Sequence, residues 1–218
     1  MAREATARVL EGDGVKTLAP SSAFGGGPPP PSRPEPVISN ARLGLMMFIG
    51  AEVMFFAGLI GAFLVLRLSS DVWPPPSQPR LPVWITGFNT LVLLASGLTM
   101  QRASLSARLP DRVRLSGWLL ATAVLGALFL CIQGYEWVRL IGFGLTMRSG
   151  LYGSTFYALI GLHGLHVLGA LAWVGVVWTL ARQGRYAEGQ SAGVELCTMY
   201  WMFVVALWPV LYGLVYLY

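Results

Sequence analysis

The stretch Leu151-Tyr152-Gly153-Ser154-Thr155-Phe156-Tyr157-Ala158-Leu159-Ile160-Gly161-Leu162-His163-Gly164-Leu165-His166, which runs on apolar to Ala181, decides how this chain is built. No Asp, Glu, Lys or Arg interrupts it between Leu151 and Ala181. At about 1.5 Å of rise per helical residue it can therefore cross a hydrocarbon core of roughly 30 Å. It also carries both histidines of the chain, His163 and His166. A weak base on a lipid-spanning helix needs a polar partner inside the bundle or a ligand.

Working outward, four more apolar runs are separated by loops that cannot continue a helix. The expected helices cover about 43–68, 82–102, 115–137, 151–181 and 194–218, which predicts an all-α integral membrane bundle of five transmembrane helices over 41–218. The composition agrees: 55% of residues are hydrophobic and 11% charged, where a soluble domain carries about a quarter charged. Between the first two helices, Trp73-Pro74-Pro75-Pro76 and Pro79 remove amide donors and enforce a loop. Pro209 should kink the fifth helix unless neighbours satisfy the carbonyl it frees. On the second helix, Thr86, Asn89 and Ser96 are placed to bond across helices. On the first, Gly50, Ala57 and Gly61 share a face that would admit a close backbone contact, with Glu52 on the opposite side.

Residues 1–40 contain Gly25-Gly26-Gly27-Pro28-Pro29-Pro30-Pro31 and no apolar run, so they read as a disordered Gly/Pro-rich tail without a cleavable signal sequence. The net charge of +5 is spread singly between apolar runs, and no basic stripe points to nucleic acid. Its distribution instead orients the protein. With the N-terminus cytoplasmic, Arg102, Arg108, Arg112, Arg114, Arg182, Arg185 and the basic tail all lie inside, against Arg67, Arg80, Arg139 and Arg148 outside. Cys131 and Cys197 both fall in apolar segments without metal-binding spacing and read as free thiols.

Depth suggests which polar groups meet. Glu52 lies about 14 Å from Leu43, while His163 and His166 lie about 18 and 22 Å from Leu151 at the opposite border. In a core of roughly 30 Å this makes His163 the first choice of partner for Glu52. Glu136, one helical turn from Gln133, falls near the outer edge, where Tyr152, Ser154 and water are available. Glu195 opens the fifth helix. A haem held by two histidines wants ligands on opposite sides of the iron, and His163 and His166 project from one helix face. A di-iron site wants more carboxylates at one depth than Glu52, Glu136 and Glu195 provide. Each polar residue taken alone is compatible with a packing role, whereas Glu52, His163 and His166 together suggest a buried polar seam.

The run Tyr152–Tyr157 with Gly161-Leu162-His163-Gly164-Leu165-His166-Val167 resembles subunit III of the haem-copper terminal oxidases in its five-helix bacterial form. So do Gly50-Ala51-Glu52-Val53-Met54-Phe55-Phe56-Ala57-Gly58, Gln133 with Glu136, Val194-Glu195-Leu196 and Tyr200-Trp201-Met202-Phe203-Val204. The resemblance implies a non-catalytic accessory subunit of a cytochrome c or quinol oxidase in the bacterial inner membrane. Such a subunit holds no cofactor of its own and binds phospholipid in clefts. It packs on catalytic subunit I, which holds haem and copper, among the other oxidase subunits. It stabilises subunit I and supports proton uptake and oxygen reduction in aerobic electron transport. Glu52 matches the family's buried helix-one carboxylate, and Gln133, Glu136, His163, His166 and Glu195 match its recurring polar positions. Met202 and Val205 depart from it, standing where the family commonly has His and Asp. The alternatives are a related subunit serving nitric oxide reductase and a proton-relay transporter bundle. The transporter is disfavoured by the absence of an inverted repeat in the sequence, and a quinone- or haem-binding anchor by the histidine placement.

Overall fold

A computed structural model describes residues 39–73, 81–109, 111–186 and 192–218. The tail up to residue 38 and the connection 74–80 lie outside the described residues. Within them the chain forms α1 (Asn40–Leu68), α2 (Val83–Ser106), α3 (Arg112–Gly142), α4 (Leu151–Arg182) and α5 (Ala192–Tyr212). The last of these runs on as one π-helical turn, Gly213–Leu217. All five are long and apolar enough to cross a membrane. α2 and α3 run past the apolar stretches that announce them, to Ser106 and Gly142. Arg112 to Arg114 start α3, with the Asp111 carboxylate accepting the Arg114 amide at 3.0 Å as its cap.

Helices α2, α3, α4 and α5 pack in that order around a square, each against the next, and α5 closes back onto α2. Short connections between antiparallel neighbours favour this arrangement. Polar side chains sew the helices of the core together. Asn89 Nδ2 donates to the Phe129 carbonyl at 3.1 Å, and the Thr99 and Thr122 hydroxyls meet at 2.8 Å. From α5, Trp201 Nε1 reaches the Ser96 hydroxyl at 3.2 Å and Trp208 Nε1 the Thr90 hydroxyl at 2.9 Å. Pro209 sits inside α5, one residue past Trp208.

α1 stands outside this square, against α4 and α5 rather than against α2, its neighbour in sequence. Only Phe56 and Phe63 are fully buried on it, with Leu45, Ile49, Leu59, Ile60 and Leu64 completing the inward stripe. The face of Gly50, Ala57 and Gly61, expected to carry a tight contact, points away from the bundle. Nothing lies within 4 Å of a Cβ placed on Gly50 or Gly61.

Between α3 and α4 the chain turns through Gly144 and Gly150, both with positive φ (90° and 110°), a backbone region open to glycine at little cost. The Ser149 hydroxyl donates to the Thr146 carbonyl at 2.7 Å. Gly153, in the first turn of α4, lies directly under that carbonyl and leaves no room for a Cβ.

Candidate functional site

The inward stripe of α1 brings one charged group, Glu52, to α4. Glu52 Oε2 lies 3.0 Å from His166 Nε2, and both side chains are mostly shielded. His166 Nδ1 lies 2.7 Å from the Leu162 carbonyl, which can only accept, so Nδ1 carries a proton. Nε2 then faces a carboxylate that no other donor among the described residues reaches at Oε2. A hydrogen bond there needs one proton between the two groups. The edge of Phe56, with its centroid 5.1 Å away, walls the imidazole.

His163, the expected first partner, does not meet Glu52. It is completely buried among α3, α4 and α5, stacked on Trp208 at 5.0 Å and edge-on to Phe129 at 6.5 Å. Neither ring nitrogen has a hydrogen-bond partner among the described residues. Two physical reasons select His166. Three residues along a helix turn the side chain by about 60°, enough to carry it from the square's interior to the seam with α1. In addition, α1 begins at Asn40, which puts Glu52 about 18 Å from its helix end. Measured from the end of α4 on the same side, His166 lies about 24 Å away and His163 about 28 Å. The structure thus joins two of the three expected seam residues and gives the third a packing contact.

Glu136 forms a separate polar cluster. It is 2% exposed; the Thr86 hydroxyl lies 3.0 Å from both carboxylate oxygens, and Gln133 Nε2 donates at 3.2 Å. Gln133 also reaches the Tyr216 hydroxyl at 3.3 Å. The anticipated partners differ: the Ser154 hydroxyl donates to its own helix at the Leu151 carbonyl. Thr86 carried a sequence signal as a polar residue on an apolar helix. Tyr216 carried none, because its inward turn depends on the π-helical end of α5. Glu195 lies in the first turn of α5, where a carboxylate complements the helix dipole, about 20 Å along the helix from Trp208. At the departures, Met202 Sδ accepts from Gln101 Nε2 at 3.9 Å. Val205 is buried, its Cγ1 3.2 Å from the point where Gly97 would carry a Cβ. Among the described residues, no three His, Cys, Asp or Glu side chains gather as a metal site.

This arrangement of five spans, a Glu52–His166 pair and a Gln133–Glu136 cluster can be compared with known proteins. The sequence pattern of the family described as cytochrome c oxidase subunit III matches residues 32–218. The chain belongs to the cytochrome c oxidase subunit III family. It is similar to the cytochrome c oxidase subunit 3 of Synechocystis sp., at 38% identity over 80% of this chain and 74% of the relative. The subunit 3 of Thermostichus vulcanus is 35% identical over 80% of this chain and 86% of the relative. The subunit 3 of Pongo pygmaeus is 34% identical over 83% of this chain and 70% of the relative. As a subunit III the chain is a multi-pass membrane protein and an accessory subunit of a haem-copper oxidase in electron transport. It works in a complex with other oxidase subunits, which hold the haem and copper.

Proposed function

We propose that this subunit packs on catalytic subunit I of a bacterial inner-membrane oxidase that takes electrons from cytochrome c, with its N-terminus cytoplasmic and phospholipids seated on its surface. It stabilises subunit I and supports proton uptake. The observation that carries this reading is the Glu52–His166 pair, a shielded carboxyl–imidazole contact at 3.0 Å that joins the peripheral α1 to the bundle. Of the expected residues Glu52, His163 and His166, the polar seam of this reading is Glu52 with His166, while His163 stacks on Trp208. The name shared by the relatives, cytochrome c oxidase subunit 3, supports the electron donor. The excess of Arg in the segments 102–114 and 182–185 supports the orientation. The exposed apolar flank of α1, with Met47, Val53, Met54 and Val65, supports a protein or lipid neighbour there.

The test is purification from native membranes by a tag on this chain. The expected outcome is co-isolation with a larger haem- and copper-containing chain, whose turnover lifetime falls when Glu52 is replaced by Gln. An isolated, stable protein that moves protons in vesicles would overturn the reading.

A further inference from the structure

Where α1 ends, a cleft of about 240 Å³ opens between the last turn of α1, the first turns of α2 and α4, and the π-helical end of the chain. Its walls include Trp73, Tyr152, Tyr216 and Tyr218, and Arg67 enters it as the only cation among its described residues. The Arg67 guanidinium lies 4.4 Å over the Tyr218 ring. No carboxylate among the described residues comes within ion-pair distance of it. Trp73 is fixed edge-on between Phe63 at 5.9 Å and Tyr152 at 5.1 Å, so this wall is built by packing. Tyr152 is 6% exposed. Its hydroxyl makes no hydrogen bond with the described residues, although the neighbouring Tyr157 and Tyr212 hydroxyls donate to backbone carbonyls at 2.8 and 3.1 Å.

The cleft therefore holds a guanidinium without an anion and a phenol without an acceptor, both among aromatic rings. A guanidinium presents N–H donors in a fork that matches phosphate or carboxylate oxygens, and the phenol adds an O–H donor. Aromatic rings at the end of a membrane helix mark the headgroup level. We propose that this cleft is a phosphate-binding site at the membrane border, with Arg67 and Tyr152 as its donors. It takes the phosphate of an anionic phospholipid or free inorganic phosphate. The proposal rests on the reading of phospholipid as a companion of this subunit and adds the place and the recognising groups. The cleft, at about 240 Å³, has room for a phosphate-bearing head group.

The test uses the intact oxidase complex, stripped of lipid in detergent. Phenylglyoxal modification of Arg67 is followed by peptide mass spectrometry with phosphatidylglycerol, diacylglycerol of the same chains, or inorganic phosphate added. The expected result is at least tenfold slower modification with phosphatidylglycerol at a concentration where diacylglycerol has no effect. Protection by inorganic phosphate at equal concentration identifies the free ion as ligand, and protection only by the lipid identifies the headgroup. Tyr152→Phe keeps the ring and should weaken protection severalfold. Equal protection by diacylglycerol, no loss with Tyr152→Phe, or an Arg67 already unreactive in the stripped complex would each overturn the proposal. Phosphatidylglycerol retained by the complex while Arg67 stays unprotected removes this site and leaves the broader lipid reading standing.

Discussion

Glu52 of α1 and His166 of α4 meet across the seam between a peripheral helix and a closed four-helix square, Oε2 to Nε2 at 3.0 Å. The Leu162 carbonyl settles the tautomer by taking the Nδ1 proton. Replacing Glu52 by Gln therefore keeps a hydrogen bond, because the amide nitrogen can donate to a neutral Nε2. It removes the carboxylate from the pair. Glu52→Gln should leave the amount of this subunit in the purified oxidase unchanged and shorten the turnover lifetime.

Glu52→Leu should behave differently, since it leaves the His166 Nε2 unpaired beside Phe56. An unsatisfied buried polar group costs about 1–3 kcal/mol, and little of α1 is otherwise buried. The expected outcome is partial loss of this subunit on detergent washing, measured as the ratio of this chain to the haem-bearing chain. Retention equal to Glu52→Gln would show that Phe56 and Phe63 alone hold α1.

His163 makes the opposite prediction from its neighbour. Its ring is stacked on Trp208 and neither nitrogen has a hydrogen-bond partner among the described residues, so a phenyl ring can take its place. His163→Phe should shift stability by less than about 1.5 kcal/mol. His163→Ala should cost about 3–5 kcal/mol through the cavity it leaves. Thermal unfolding of the complex in detergent separates the two, and a Phe variant as damaged as the Ala variant would point to a polar role for the imidazole.

The contrast between these histidines shows what the sequence carries. Five apolar runs and their punctuating loops were legible because each helix must cross roughly the same hydrocarbon thickness. Thr86, Asn89 and Ser96 were legible as cross-helix donors and acceptors because a polar atom in lipid has few places to go. The partner of Glu52 was not legible. It turns on a rotation of about 60° and one step of rise, finer than the position of a helix end read from composition. Nor was the inward turn of Tyr216, which follows from the π-helical end of α5. The open glycine face of α1 is a different case: small residues show where close approach is possible, not which neighbour makes it.

At the Glu136 cluster, the Thr86 hydroxyl lies 3.0 Å from both carboxylate oxygens and 2.9 Å from the Pro82 carbonyl, and its one proton can serve one of these acceptors at a time. Thr86→Val preserves the shape and deletes the donor, with an expected cost of about 1–2 kcal/mol, whereas Thr86→Ser should be nearly neutral. A double-mutant cycle with Glu136→Gln, read by thermal unfolding, should give a coupling energy of the same order. Additive effects would mean that the carboxylate is held by Gln133 alone.

Gly153 offers the sharpest steric test. A Cβ there runs into the Thr146 carbonyl and the Ser149 hydroxyl, and the carbonyl belongs to the backbone of the turn that launches α4. Gly153→Ala must push that turn away from the helix, at a cost of about 1–3 kcal/mol. The displaced segment 144–150 should become more susceptible to protease. Gly117→Ala on α3 is the control: nothing lies within 4 Å of the added methyl, and replacing a helical glycine by alanine favours the helix by roughly 0.5–1 kcal/mol. If both variants unfold at the wild-type temperature and resist protease equally, the turn is soft enough to yield, and the close approach at Gly153 does not constrain the start of α4.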